Sequence, residues 1–180
     1  MAPAKKVQKV TAQKKWGLGV DKKIPLFSVY GEGSEEGLAL LKEIAEGIVS
    51  QEMQLVLTEP KNADYAEFFN ALEKKHPNQI KVVDDGAENK KRLLAVSDVV
   101  FFFGKDKKKV NEIWKAQAIP VAFAKELVEN FDPVVEKGNA FVYKEGNYWS
   151  LFAATVRAIE TYRFSYDWNN IVLAGKTSSK

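Results

Sequence analysis

One short segment of this sequence has residues suited to binding an anion. Gly31, Gly33 and Ser34 follow an apolar run and precede a helical pattern, and backbone amides at the start of a helix bind phosphate groups. The segment lacks both the six-residue glycine fingerprint of dinucleotide-binding folds and the Lys-Ser/Thr pair of a P-loop. Glu35 and Glu36 follow directly and would repel an anion. We therefore expect weak anion binding at most.

Other residues that could do chemistry lack partners along the chain. His76 is the only histidine, and it precedes Pro77 at the end of a helical pattern with no acid or nucleophile close in sequence. Asp84 and Asp85 precede Gly86 after an apolar run, where a turn is the expected structure. The absence of cysteine excludes disulfides, thiolate metal ligands and a cysteine nucleophile. We expect no metal site, no cofactor and no catalytic residue.

Short apolar runs alternate with segments of helical periodicity along most of the chain. Near-continuous apolar strands joined by helices are typical of a parallel sheet buried on both faces. The sequence therefore predicts a single Rossmann-like α/β domain over residues 16–180, with a doubly wound parallel sheet of about six strands. We expect a basic, flexible tail over residues 1–15, a short helix over 125–130 and a closing helix over 148–162. The predicted strands are 25–30, 53–57, 79–83, 98–103, 119–123 and 140–143.

Length, charge and hydropathy limit the functional classes. A chain of 180 residues suits one domain with a full core, and a net charge of +3 is too small for a polycation. No apolar run approaches the roughly 20 residues that cross a bilayer, and the first ten residues have no secretory signal pattern. We expect a cytoplasmic protein without membrane contact.

Lysines are concentrated in two places. Seven of them lie within the first 23 residues, and a second run occupies positions 105–109. Such runs bind nucleic acid in some proteins, and we keep a nucleic-acid-associated role as an alternative. A solvated surface is the favoured interpretation, because arginines are few and the basic tail over residues 1–15 has no aromatic residues.

Several segments together resemble one enzyme family. The chain resembles, over residues 16–168, the C-terminal nucleotide-sugar-binding domain of the bacterial glycogen synthases and plant starch synthases, in a degenerate form. The resemblance implies one half of a two-domain glycosyltransferase B-type fold. It is carried by Trp16-Gly17-Leu18, Pro25-Leu26-Phe27, Gln54-Leu55-Val56-Leu57, Lys75-His76-Pro77, Ala95-Val96-Ser97-Asp98, Ile119-Pro120-Val121, Asn139-Ala140-Phe141-Val142-Tyr143, Trp149-Ser150-Leu151 and Phe164-Ser165-Tyr166-Asp167-Trp168.

The chain departs from the family where the donor would bind. The family holds the donor diphosphate with an arginine and a lysine, and the aligned residues here are Gly31 and Glu36. The glycine-rich end of the second strand becomes residues 58–60, Thr-Glu-Pro. The segment with the sugar-contacting glutamate becomes residues 104–107, Gly-Lys-Asp-Lys, and the later phosphate turn becomes residues 124–127, Ala-Lys-Glu-Leu. The N-terminal acceptor-binding domain of the family is also expected to be absent.

These departures predict a pseudoenzyme rather than an active glycosyltransferase. We expect a non-catalytic domain that acts as a protein-interaction, self-assembly or accessory module, with residual nucleotide-sugar or glucan binding as the alternative. A homo-oligomer or a protein partner is expected, and a nucleotide sugar is disfavoured. The remnant of the donor site would comprise Gly31, Gly33, Ser34, Lys105 and Lys125. The expected contact surface comprises Tyr148, Trp149, Phe164, Tyr166 and Trp168.

Overall fold

Six parallel strands form one sheet in the computed structural model, which describes residues 3–30 and 35–179, the side chain of Pro3 excepted. The order across the sheet is β3-β2-β1-β4-β5-β6. The chain direction across the sheet therefore reverses between β1 and β4, which pair through Phe27 with Val99. All six predicted strands are confirmed. Their bounds are β1 Leu26–Val29, β2 Gln54–Thr58, β3 Ile80–Val83, β4 Val99–Phe102, β5 Ile119–Ala122 and β6 Phe141–Val142.

Seven helices cover both faces of the sheet in the described part of the chain. Helices α2, α3 and α6 share one core with the sheet, while α1, α4 and α5 cover the other face. Helix α7 lies against both α5 and α6. The bounds are α1 Pro3–Trp16, α2 Glu35–Val49, α3 Ala63–Lys75, α4 Ala87–Val96, α5 Lys107–Lys115, α6 Tyr148–Arg163 and α7 Ser165–Ser178.

The residues of strand β4 show that the sheet is buried on both faces. Its four residues are all buried, and successive side chains of a strand point to opposite faces. Val99 and Phe101 therefore join the core under α2 and α6, while Val100 and Phe102 pack with Trp114 of α5. This arrangement confirms the predicted doubly wound α/β fold and places its loops at the two edges of the sheet.

The N-terminal segment is helical, so the predicted flexible tail over residues 1–15 is wrong for residues 3–15. Lys5, Lys9 and Gln13 recur every four residues, and this polar face of α1 is buried. The Lys9 ammonium lies 2.6 Å from the Asp98 carboxylate and also donates to the Ile24 carbonyl and the Tyr162 hydroxyl. Hydrophobic periodicity missed this helix because polar residues make its interior contacts.

Two features of the C-terminal half also differ from the prediction. Residues 125–130 form a turn and a β-bridge to Ala140 rather than a helix. The Asn139 side-chain oxygen accepts a hydrogen bond from the Glu129 amide at 2.8 Å and holds this segment against β6. Helix α7 was not predicted. Its buried residues Trp168, Ile171 and Gly175 share one face, and Gly175 packs directly on Trp114.

The buried Lys5 makes stability depend on pH in the alkaline range. Burial lowers the Lys5 pKa from 10.5 to about 8, so the folded protein binds fewer protons than the unfolded chain between these values. The Lys5 contribution to the free energy of unfolding therefore rises from pH 8 to pH 10.5, by a few kcal/mol. We expect the wild type to gain stability relative to Lys5→Met between pH 7.5 and pH 10, measured by urea unfolding. An unchanged difference would contradict a lowered Lys5 pKa.

Candidate functional site

The candidate site is the crevice at the carboxyl edge of the sheet, where the strand order reverses between β1 and β4. Ligands of doubly wound folds bind at this position. A cavity of about 580 Å³ opens there beside Tyr30, Thr58 and Phe102. A second cavity of about 530 Å³ lies between the start of α2 and Tyr143. Lys105 lines both cavities, and the two cavities together are called the crevice below.

Two of the five predicted donor-site residues, Lys105 and Lys125, lie in the described part of the chain. Gly31, Gly33 and Ser34 lie outside the described residues. Lys105 lies in the crevice, and its ammonium is 3.4 Å from the Glu145 carboxylate. Lys125 is exposed in the turn after β5, and the described residues that line the two cavities do not include it.

A cluster of three side chains that the sequence analysis missed lies beside the first cavity. Tyr30, just beyond the end of β1, donates its hydroxyl hydrogen bond to Glu112 of α5. The Lys109 ammonium lies 3.3 Å from the same carboxylate and 5.4 Å from the Tyr30 ring centroid. Burial and the bond to Glu112 raise the Tyr30 pKa, so the phenol remains a neutral donor. The i,i+3 spacing of Lys109 and Glu112 was the available signal.

Two helices that begin beside this crevice, α2 and α5, have carboxylates at their N-termini. Glu35 and Glu36 occupy the first turn of α2. Asp106 caps α5, and its carboxylate accepts the Lys108 amide at 2.7 Å. The positive end of each helix dipole is therefore balanced by the chain's own negative charge.

The lysines of the crevice are also paired with acids. Lys105 pairs with Glu145, and Lys109 pairs with Glu112. At the rim, the Lys90 ammonium lies 2.9 Å from Asp85 and lowers the pKa of that carboxyl. The electrostatic character of the crevice is therefore mixed rather than cationic.

Asp84 and His76 make local contacts just after β3 and at the end of α3. The Asp84 carboxylate accepts a hydrogen bond from the Gly86 amide at 3.1 Å, an Asx-type contact in the link between β3 and α4. His76 ends α3, and its ring lies 3.4 Å from Glu46 on the surface. Within residues 3–30 and 35–179, no cluster of three or more His, Asp or Glu side chains could hold a metal ion.

The predicted aromatic surface is divided between two places. Tyr148 and Trp149 begin α6 and are 39% and 68% exposed, while Phe164 and Tyr166 lie at the junction of α6 and α7 with 61% and 64% exposed. Trp168 was expected on this surface, but it is only 4% exposed. It is buried because its ring packs edge-on against Tyr162 at 4.9 Å.

Comparisons with known proteins support the resemblance. The chain is 24% identical over 183 residues to the glycogen synthase of Clostridium beijerinckii and covers 37% of that protein, with 93% of the chain aligned. It is 24% identical to starch synthase 2 of Arabidopsis thaliana, with 94% of the chain and 23% of that protein aligned. No family model matches the chain. The chain thus spans little more than a third of the bacterial relative.

Solved structures with the same fold are larger than this chain. A crystal structure of Anabaena HepE in complex with UDP and glucose matches with a TM-score of 0.68, 15% identity and 99% of this chain covered. A glycosyltransferase from Rickettsia africae matches with a TM-score of 0.69, 14% identity and 99% of this chain covered. The chain covers 48% and 47% of these two structures.

No helix within residues 3–30 and 35–179 has both the length and the apolar composition to span a membrane. The fold matches one of the two Rossmann-like halves of a glycosyltransferase B-type structure. Over nearly its whole length the chain is similar in sequence to one part of the glycogen and starch synthases.

Proposed function

We propose that this domain is non-catalytic, does not hold a nucleotide diphosphate in its crevice, and acts through protein contacts. The proposal rests on the helix N-termini beside the crevice. Glu35 and Glu36 begin α2, and Asp106 caps α5. Where a glycosyltransferase needs positive charge for its leaving group, this chain has negative charge.

The magnitude of the charge effect favours exclusion of a diphosphate. Two like charges about 4 Å apart repel by roughly 1 kcal/mol in water and roughly 4 kcal/mol near a protein surface. Glu36 lines the second cavity, where it would add such a repulsion to the loss of the family's lysine. Together these effects would weaken diphosphate binding by orders of magnitude.

The lysines of the crevice do not offset this repulsion. Exposed ion pairs contribute only about 0–1 kcal/mol, so Lys105 and Lys109 could change partners. Each one nevertheless lies beside a carboxylate, Glu145 or Glu112, and a diphosphate would have to share the lysine with that acid. Residual binding of a nucleotide sugar is the second candidate function, and Lys105 is the described residue that supports it.

Reversing one charge in the crevice tests the proposal. We expect no saturable binding of ADP-glucose or UDP-glucose to the wild type in the crevice, and measurable binding to Glu36→Lys by titration calorimetry, with at least a tenfold gain in affinity. Glu43→Lys is the matched control, because Glu43 is an exposed residue farther along the same helix. It makes the same change in net charge and should not gain affinity.

Tight wild-type binding that is lost in Lys105→Ala would contradict the proposal and restore a donor site. Equal gains in Glu36→Lys and Glu43→Lys would attribute the effect to net charge rather than to the crevice.

The start of α6 offers a surface for the proposed protein contact. Trp149 is 68% exposed, and its ring lies 5.2 Å from the Tyr148 ring and 6.5 Å from the Phe152 ring. Exposed, adjacent aromatic side chains are typical of contact surfaces. A second copy of this chain is the first partner to examine, by sedimentation velocity at increasing concentration with Trp149→Ser as the comparison. A wild type that sediments as one chain at all concentrations would exclude self-association and favour an accessory role with a different protein.

The lysine-rich N-terminus gives less support to a nucleic-acid role than its composition suggests. Lys5 and Lys9 are buried and donate to groups within the fold, so they are not available to phosphates. Steeply salt-dependent binding to RNA or DNA would favour that alternative.

A further inference from the structure

We propose that the amino edge of the sheet, opposite the crevice, has a binding site for a small anion with two or more phosphate groups. A cavity of about 580 Å³ opens there, a volume within the range of small-molecule sites. It lies where α1, the segment before β1, and the junction of α6 and α7 meet. Its lining residues are Lys6, Lys22, Lys23, Tyr162, Arg163, Ser165, Trp168 and Asn169.

The lining of this cavity has four cations and no carboxylate. Arg163 already pairs with Glu160 at 2.7 Å and Glu52 at 3.3 Å. By contrast, the ammonium groups of Lys6, Lys22 and Lys23 form no ion pair with any described residue. Three uncompensated ammonium groups around one concavity favour a ligand with several negative charges.

Besides Glu160 and Glu52, two further carboxylates lie near the cavity without lining it. Asp21 accepts the Lys23 amide at 2.7 Å, and Asp167 lies in the first turn of α7. They reduce the local positive charge, but neither is paired with a lysine of the cavity. The site therefore differs from the crevice, where every lysine considered above has an acidic partner.

The N-terminus of α7 adds backbone donors to the same cavity. Phe164 occupies the capping position and supplies no side-chain cap, and Ser165 begins a helix of 14 residues. The first amides of a helix have no partner within it and bind anions, and Asp167 in the first turn of α7 weakens this attraction without capping the helix. Asn62, Asp106 and Asn147 cap α3, α5 and α6 with their side chains, whereas α4, like α7, has no side-chain cap.

A buried donor without a partner also belongs to this cavity. Trp168 lines it and is 4% exposed, and its indole N–H has no hydrogen-bond partner among the described residues. A buried polar group without a partner costs about 1–3 kcal/mol, and an acceptor atom of a ligand would remove that cost only if the ring shifted towards the cavity, because the nitrogen itself is buried. The other aromatic residue is held in place, because the Tyr162 hydroxyl donates to the Lys22 carbonyl and accepts from Lys9.

The shape of the site favours a small phosphoanion over a polynucleotide. Single-stranded nucleic acid binds along extended basic grooves with exposed aromatic platforms. Here the cations surround one cavity, and Trp168 is too buried to stack on a base.

Inorganic pyrophosphate and tripolyphosphate are suitable probes for titration calorimetry at low salt. We expect saturable binding to the wild type and at least a tenfold loss of affinity in Lys22→Ser/Lys23→Ser. Lys14→Ser/Lys15→Ser is the matched control, since it removes two adjacent, exposed lysines that do not line the cavity. It should bind within twofold of the wild type. Both lysines of the test pair are exposed, and thermal unfolding checks that each variant remains folded.

Three outcomes would overturn the proposal. The first is that neither probe binds saturably at millimolar concentration. The second is an equal loss of affinity in the two double variants. The third is tight binding of an RNA oligonucleotide by a protein that binds neither probe. Probe binding that is lost in Lys22→Ser/Lys23→Ser belongs to this cavity, whereas probe binding that is lost in Lys105→Ala belongs to the crevice, so the failure of this proposal and the failure of the proposed function are distinguishable.

Discussion

Replacing Asp98 with alanine should lower the free energy of unfolding by about 3–5 kcal/mol, because it leaves the buried Lys9 ammonium without its counter-ion. Lys9 and Asp98 are 1% and 0% exposed, and their charged atoms are 2.6 Å apart. The same carboxylate accepts the Leu26 amide at 2.9 Å, at the start of β1. Urea unfolding of Asp98→Ala and of Lys9→Met measures the loss in the free energy of unfolding when either partner of the ion pair is removed.

The control for this prediction is Lys14→Met. Lys14 lies on the same helix and is exposed, so its replacement should change stability by about 0.5 kcal/mol or less. A double-mutant cycle with Lys9→Met and Asp98→Ala should give a coupling energy above about 1 kcal/mol. Losses below about 1 kcal/mol for both single variants would show that α1 does not dock through this pair.

The second large effect is expected at Trp168. Trp168→Ala should destabilise the protein by about 3–5 kcal/mol, because a buried indole is removed from the contact between α6 and α7. Trp149→Ala is the matched comparison, since it removes the same side chain from a position that is 68% exposed. It should cost about 0.5 kcal/mol or less. Equal losses measured by urea unfolding would contradict the burial of Trp168 and restore it to the predicted contact surface.

The strands were predictable because their residues are apolar and consecutive. The run from Val99 to Phe102 is buried throughout, and such a run is readable without a structure. The parallel direction of the strands followed from the alternation of strands with helices, because parallel strands need a crossover that packs on the sheet. The resemblance to glycogen synthases came from the same core residues.

Helices α1 and α7 could not be read from hydrophobic periodicity. The buried face of α1 includes Lys5, Lys9 and Gln13, which a pattern of apolar residues does not detect. In α7, Gly175 contacts Trp114, but the sequence shows only a poor helix former near the C-terminus. In both helices a residue is buried because it contacts a residue far away in the sequence, as Lys9 contacts Asp98 and Gly175 contacts Trp114.

The candidate sites were predictable in part. The negative charge of Glu35 and Glu36 beside the crevice was evident from their positions after the first strand. The link from Tyr30 to Glu112 joins residues 82 positions apart, so the sequence offered no basis for it. The same applies to the cavity at the amino edge, since Lys6, Lys22 and Arg163 meet only when α1 docks beside the end of α6.

An amide-resolved NMR titration with UDP-glucose tests the central claim that the crevice is not a donor site. The account predicts no saturable shift at the amides of Tyr30, Gly104 and Lys105, which line the crevice. Shifts confined to Lys22 and Ser165 would belong to the cavity at the amino edge. Saturable shifts at Tyr30, Gly104 and Lys105 would contradict the account and show that the domain retains a nucleotide-sugar site.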